Sequence, residues 1–306
     1  DRYLAVLYDY LHEKMYGYHV LQADETPVLV NKDGRPAGSK SYMWVYRTGR
    51  MYTDRQIVLY EYQRTRNASH PREFLKNFSG ICVTDGYQVY HTVENEREDL
   101  KIAGCWSHAR RRFDEAVKAL PKSKQKDSRA YLALTMIQAI YREEKQLKEL
   151  PAQERRNRRQ LSIRPLVEAY FAWVRENLPK VPQKSKTWEG FNYSLNQEKY
   201  LKVFLEDGEV PMDNNAAEQS IRGFCIGKKN WVMIDTVAGA KSSAIVYSIA
   251  ETAKANSLKP YDYFEYLLTE IPKHLDDTDR SFLNDLLPWS PNLPANCRKP
   301  DKDEVE

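Results

Sequence analysis

Apolar positions follow helical spacing at the start of the chain and then switch to strand-like runs. Leu4, Leu7, Tyr8 and Leu11 share one face of a helix over residues 3–15. Residues 19–30, ending in Pro27-Val28-Leu29-Val30, read as a first strand, the aromatic-rich residues 41–48 as a second, and residues 55–62 as a third. Asp33-Gly34, Pro36 and Gly38 mark the first connection and Gly49 the second, so the three strands are expected to form an antiparallel meander. His70-Pro71-Arg72 opens a short helix that Gly80 ends. Ile81-Cys82-Val83-Thr84 is a short apolar strand stopping at Asp85-Gly86. Residues 100–104 are a fifth strand, and Ser107 reads as the cap of a helix running to about 120. A meander followed by β-α-β crossovers predicts an α/β fold with a mixed sheet covered by helices.

The texture changes after residue 120. Residues 122–205 are rich in Lys, Arg, Glu and Gln with helical periodicity, which predicts an all-helical insertion. Further helices are expected over about 214–225, over about 239–256 and after Pro260, before a proline-rich, irregular tail from Pro288. The expected organisation is a helical lead-in (1–18), a first part of a core (19–120), the helical insertion (121–210), a second part of the core (211–270) and a tail (271–306). The chain opens on Asp1-Arg2-Tyr3 rather than Met, and its first helix reads as the end of one begun upstream, so a fragment of something longer is expected.

Bulk composition narrows the picture only a little. A net charge of +4 on 306 residues permits a nucleic-acid partner without demanding one. The four cysteines include no CxxC pair, which argues against a zinc ribbon and for reduced thiols. No apolar run approaches the ~20 residues of a membrane span, so no membrane partner is expected.

Three carboxylates stand out by position. Asp24 lies within the first strand, Asp85 at the end of the fourth, and Glu218 on the helix beyond the insertion. Ile81, Val83 and Asp85 share a face by alternation, and a carboxylate continuing an apolar stripe must be paired, metal-bound or at the sheet's edge. On the later helix Asn215, Glu218 and Arg222 form one stripe beside the apolar stripe Ala217, Ile221 and Phe224, which puts Glu218 at the edge of the buried face. Phosphodiester strand transfer needs an activated oxygen nucleophile and a stabilised leaving oxygen, which two Mg²⁺ ions ~3.5–4 Å apart can supply. Such hard ions choose carboxylate oxygens. Asp24 is assigned as the bridging ligand, with Asp85 and Glu218 flanking. Glu25 competes with Asp24, because adjacent strand residues face opposite sides and the pattern does not say which faces inward.

Several segments resemble the insertion-sequence-66 family of bacterial transposases. They are Ala23-Asp24-Glu25-Thr26-Pro27, Thr84-Asp85-Gly86-Tyr87, Cys105-Trp106-Ser107-His108-Ala109-Arg110-Arg111, and the long run Met212-Asp213-Asn214-Asn215-Ala216-Ala217-Glu218-Gln219-Ser220-Ile221-Arg222. Lys228-Lys229-Asn230-Trp231, Gly239-Ala240, Thr252-Ala253-Lys254-Ala255-Asn256 and Leu286-Leu287-Pro288-Trp289 follow in the same order. The resemblance implies a ribonuclease H-like fold with an Asp-Asp-Glu triad at Asp24, Asp85 and Glu218, choosing Asp24 over Glu25. It also implies Mg²⁺, with Mn²⁺ as substitute, and DNA as partner at transposon ends and target. A homodimer on DNA, a bacterial cytoplasmic setting and no small-molecule cofactor complete the implied picture. In the expected reaction water cuts first and the freed 3′-hydroxyl then attacks target DNA. The resemblance further implies an N-terminal DNA-binding region, which this chain is expected to lack. A hydrolase of the same fold that cuts hybrids or branched DNA, and an inactive transposase-derived DNA-binding protein, are the competing functions.

Accessory positions follow from type and place. Cys105 and His108 have a Cys-x₂-His spacing but no further zinc ligands nearby in sequence, so His108 is expected beside the active site, contacting phosphate or a carboxylate. Arg111, among three successive arginines, is a candidate phosphate contact. Arg222 either orients Glu218 or grips phosphate. Lys228, Lys229 and Trp231 mix basic and aromatic groups suited to backbone contact and stacking, with a core role as the alternative for Trp231. Trp188, flanked by Lys184 and Lys186, is a candidate stack for a displaced base. The arginines between 155 and 159 are expected on a solvated helix face.

Overall fold

The structure, a computed structural model, describes residues 2–36 and 38–300. Its first half runs α1 (Ala5–Met15), β1 (Val20–Lys32), β2 (Lys40–Thr48), β3 (Val58–Gln63), α2 (Ser69–Phe74), β4 (Gly80–Val83), α3 (Gln88–Asn95), β5 (Leu100–Ala103) and α4 (Trp106–Lys118). Helices follow at α5 (Lys122–Gln125), α6 (Arg129–Gln146), α7 (Ala152–Arg158), α8 (Arg164–Asn177), α9 (Lys186–Asn196), α10 (Glu198–Leu201) and α11 (Val203–Glu206). The last third holds α12 (Asn215–Trp231), β6 (Ile234–Thr236), α13 (Val237–Ala255), α14 (Pro260–Glu270) and α15 (Leu283–Leu286). The fold is mixed α/β. Two compact units divide it: Asp1–Gly80 with Ala216–Glu306, and Ile81–Asn215.

The first unit is built on the meander. β1 pairs antiparallel with β2 and β2 with β3, in a register that sets Asp24 opposite Val45 and Val45 opposite Tyr60. β6 adds a parallel pairing at the far end of β1, with Val30 beside Ile234. One face carries Val28, Val30, Met43, Val45, Val58 and Tyr60, buried against Ala217, Ile221 and Phe224 of α12 and Ala240 and Ala244 of α13. The expected apolar stripe of α12 thus packs on the sheet. On the opposite face Tyr46 stacks on Phe74 of α2 at 3.7 Å, and Tyr8 of α1 donates to the Tyr60 carbonyl at 3.0 Å.

The edge of β3 is sealed by side chains of a helix. Tyr60 N–H donates to Ser248 Oγ at 2.7 Å, and Val58 N–H to Thr252 Oγ1 at 2.9 Å. Thr252 Oγ1 in turn donates to the Val58 carbonyl at 2.9 Å, while Asn256 Nδ2 donates to the Gln56 carbonyl at 2.7 Å. Positions 248, 252 and 256 climb α13 by ~6 Å per four residues, close to the ~6.7 Å that two strand residues span. A strand edge otherwise open to pairing is covered in this way.

The second unit holds β4 and β5, neighbours in the sheet, with Thr84 N–H donating to the Ala103 carbonyl at 3.0 Å. Its helices pack around Trp106, whose ring lies 5.5 Å from Tyr170 and 5.9 Å from Phe171 and whose Nε1 donates to the Leu201 carbonyl at 2.8 Å. Two expectations fail here. Ser107 is not the cap of α4: Cys105 holds that place, and Ser107 Oγ, inside the helix, reaches Asn215 Oδ1 at 2.9 Å. The arginines at 155 and 159 do not face solvent. Arg159 is fully buried and donates to the carbonyls of Phe204, Asp207 and Val210 at 2.7, 2.6 and 3.0 Å and to Glu144 Oε2 at 2.9 Å. Arg155 serves the carbonyls of Leu147, Lys148, Leu150 and Gly208. Backbone acceptors left over where helices end recruit these donors, an effect invisible to charge patterning.

Candidate active site

In the first unit, alternation along β1 decides which of two adjacent acids faces α12. Thr26 Oγ1 accepts from Cys225 Sγ of α12 at 3.4 Å, and Val28 and Val30 belong to the core beneath that helix. Asp24 has the same parity and therefore the same face, as does its cross-strand partner Val45. Glu25 points the other way. It is buried there, paired with Arg66, whose Nε donates to Glu25 Oε1 at 2.7 Å.

The height of Glu218 along this face follows from contacts of α12. The row Asp24–Val45–Tyr60 meets the helix where Tyr60 Oη donates to the Ser220 carbonyl at 2.7 Å. One row away, Arg47 Nη1 donates to Ser220 Oγ at 3.2 Å. Glu218 is therefore within one row of Asp24. Its azimuth is that of Cys225, because seven residues make close to two full turns, and Cys225 is the residue that touches β1. Lys228 Nζ donating to the Pro27 carbonyl at 2.7 Å shows helix and strand advancing together. Glu218 thus lies half-buried on the β1 side of α12, about 10.5 Å upstream of Cys225 along the helix, while Asp24 is about 7 Å upstream of Thr26 along the strand.

In the second unit, Asp85 follows β4 and is half-buried. Its Oδ1 accepts from Tyr87 N–H at 2.8 Å, closing a turn in which Gly86 has φ +90°. Such a backbone angle is open to glycine and strained for other residues. Tyr193 of α9 donates its hydroxyl to the Asp85 carbonyl at 3.0 Å. Burial first, then the nearby Cys105 and Asp85, hold the Tyr193 phenol far above its ordinary pKa, so it remains a donor. Nothing in the sequence pattern pointed to Tyr193, because it stands 108 residues from Asp85 in an otherwise ordinary amphipathic helix.

The accessory residues differ in exposure within each unit. In the second unit His108 is half-buried in the first turn of α4, and Arg110, Arg111 and Arg112 on the same helix are exposed. Trp188 is half-buried at the start of α9, its N–H donating to Ser185 Oγ at 3.2 Å. In the first unit Arg222 and Lys229 are exposed on α12, and Lys228 is tied to β1. Trp231, partly buried, packs edge-on against Phe224, ring centroids 5.4 Å apart. Among the described residues, no helix is long and apolar enough to cross a membrane.

Comparison with known proteins shows the family. The uncharacterised protein y4qI of Sinorhizobium fredii (strain NBRC 101917 / NGR234) is 30% identical over 296 residues, an overlap of 94% of this chain and 53% of that protein. From the same organism, y4jD is 27% identical over 238 residues, covering 76% of the chain and 45% of that protein, and y4hP is 24% identical over 303, covering 94% and 53%. The chain spans about half the length of these curated relatives. Residues 248–289 match the IS66 C-terminal element, and residues 1–242 match the model of the Transposase IS66 family. The chain belongs to the IS66 family of transposases.

Proposed function

We propose that this chain is the catalytic portion of a transposase that cuts a DNA phosphodiester at a transposon end and joins the freed 3′ end to target DNA. The reading includes a ribonuclease H-like core, supported by the antiparallel meander β1–β3 followed by the β4–α3–β5 succession. One observation carries it: Asp24 faces α12 within one row of Glu218, while its neighbour Glu25 is turned away and held by Arg66. Asp85, at the end of β4, is the third carboxylate.

The donor set is entirely carboxylate oxygen, which suits Mg²⁺ or Mn²⁺ and disfavours softer ions. Asp24, Asp85 and Glu218 would hold the ions, with Asp24 as the shared ligand. When bound, such ions activate the attacking oxygen and stabilise the leaving one. The chain's own groups do the rest. The exposed Arg111, Arg222 and Lys229 donate to phosphate oxygens and set the DNA's register, a role without sequence information. His108 orients a carboxylate or phosphate. Trp188 remains the candidate stack for a displaced base. DNA is the partner, a homodimer on DNA the working assembly and the bacterial cytoplasm the setting.

Calorimetric titration of Mn²⁺ with an end-bearing DNA duplex present tests the triad. Asp24→Asn and Glu218→Gln are expected to weaken binding by more than the roughly 10–100-fold that loss of an outer-shell partner costs, and a folded Glu25→Gln to leave it unchanged. Wild-type affinity in Asp24→Asn would overturn the assignment. Joining of a cut end to a second duplex separates a transposase from a hydrolase that only cuts.

A further inference from the structure

The Asp85–Gly86 turn is held from outside its own strand. Tyr193 Oη donates to the Asp85 carbonyl at 3.0 Å, and the Arg112 guanidinium sits 4.3 Å from the centre of the Tyr193 ring. That cation–ring contact fixes the plane of the phenol. Gln197, one turn beyond Tyr193, is buried, and its Oε1 has no hydrogen-bond partner among the described residues. A Cβ at Gly86 would stand 3.0 Å from that oxygen and 3.1 Å from Tyr193 Oη, so the two side chains press on the turn.

The consequence is a matter of peptide geometry. The Asp85 carboxylate is held by the bond it accepts from Tyr87 N–H, so its direction depends on the turn keeping its shape. Before glycine the peptide plane flips at low cost, because glycine accepts both signs of φ. A flip would swing the Asp85 carbonyl away from Tyr193 and release the turn from α9, loosening the 2.8 Å bond from Tyr87 N–H to Asp85 Oδ1. The hydroxyl of Tyr193 is the donor that holds the carbonyl in place.

We propose that Tyr193 is a positioning residue for Asp85, acting through the peptide plane, with Arg112 orienting its ring and Gln197 backing the turn. The helix α9 would then be part of the reaction's apparatus. This rests on Asp85 being a metal ligand.

Tyr193→Phe removes the hydroxyl and keeps the ring. Tyr170→Phe is the control, since Tyr170 Oη bonds Ser194 Oγ at 2.7 Å in the same group of helices. Two quantities are read on the full chain: hydrogen exchange at the Tyr87 amide, and the Mn²⁺ half-saturation concentration with a DNA duplex present. Tyr193→Phe is expected to speed exchange at Tyr87 about 5-fold, the factor corresponding to one ordinary hydrogen bond, and to raise the Mn²⁺ half-saturation several-fold. Tyr170→Phe should move neither. Unchanged exchange and Mn²⁺ binding in Tyr193→Phe, or equal changes in Tyr170→Phe, would overturn the positioning role. Asp85→Asn separates the two layers. If it loses Mn²⁺ while Tyr193→Phe binds normally, only the positioning role fails. If it binds like the wild type, or the wild type binds none, the ligand assignment falls and the positioning role with it.

Discussion

Single residues in this protein take their character from which face of the sheet they occupy. Asp24 and Glu25 are chemically near-equivalent neighbours, yet one faces α12 and the other is sealed against Arg66. Glu61 shows what that second face does to an acid. It sits on the face of Glu25, across Trp44, and its carboxyl is pushed up to about 7, mainly by burial, with Glu73 adding and the Gln63 hydrogen bond opposing. The folded state therefore binds this proton more tightly than the unfolded chain, whose value is near 4.5. Stability from this group is full below the unfolded value and declines as pH rises towards 7, by up to about 3 kcal/mol. His12 and His91, whose pKa values burial lowers, contribute in the opposite sense, so the difference between wild type and Glu61→Gln isolates the effect. Urea midpoints measured from about pH 4 to about pH 8 should fall more steeply in the wild type than in Glu61→Gln. Parallel curves would mean that Glu61 ionises normally. The residue pattern had narrowed the strand acid to two adjacent positions and could go no further, because alternation gives parity but not which parity lies under the helix.

At the level of elements, the periodicity was informative and the caps were not. The stripe Ala217, Ile221 and Phe224 identified the buried face of α12 correctly, since a 3.6-residue repeat is written in the sequence itself. The helix runs six residues past its expected end at 225, to Trp231. Gly227 does not stop it because it gives room to Tyr247: a Cβ there would lie 2.2 Å from the Tyr247 hydroxyl oxygen. The polar ladder on α13 was equally hidden. Ser248, Thr252 and Asn256 look like ordinary helix residues until β3 lies beside them. Thr252→Val keeps the shape but leaves the Val58 N–H and carbonyl without their partner, a loss of about 1–3 kcal/mol. Thr269→Val, at an exposed site on α14, should cost little by comparison. Chemical denaturation of the two variants decides it, and equal stability would show that water replaces the ladder.

For the whole molecule, the decisive fact is that the first unit is discontinuous in sequence. Its meander β1–β3 comes from residues before 81, and β6 and the helices covering one face come from residues after 215. A chain ending at residue 215 should therefore expose Val28, Val30, Met43 and Val45, and the amides of β2 and β3 should exchange at unfolded-chain rates. Retained protection in that truncated chain would show that the sheet does not need its distant cover. What the sequence determined by itself was local: strand and helix periods, the turns of the meander, the helical nature of residues 122–205, and the ordered motifs that mark the family. These depend on neighbours a few residues apart, so the chain's own repeat encodes them. Tertiary structure alone decided that Asp24 rather than Glu25 faces α12, that Tyr193 grips the Asp85 turn, and that buried arginines collect stray carbonyls. Each of those outcomes joins groups far apart in the chain, and contacts at that range have no periodic signature to read.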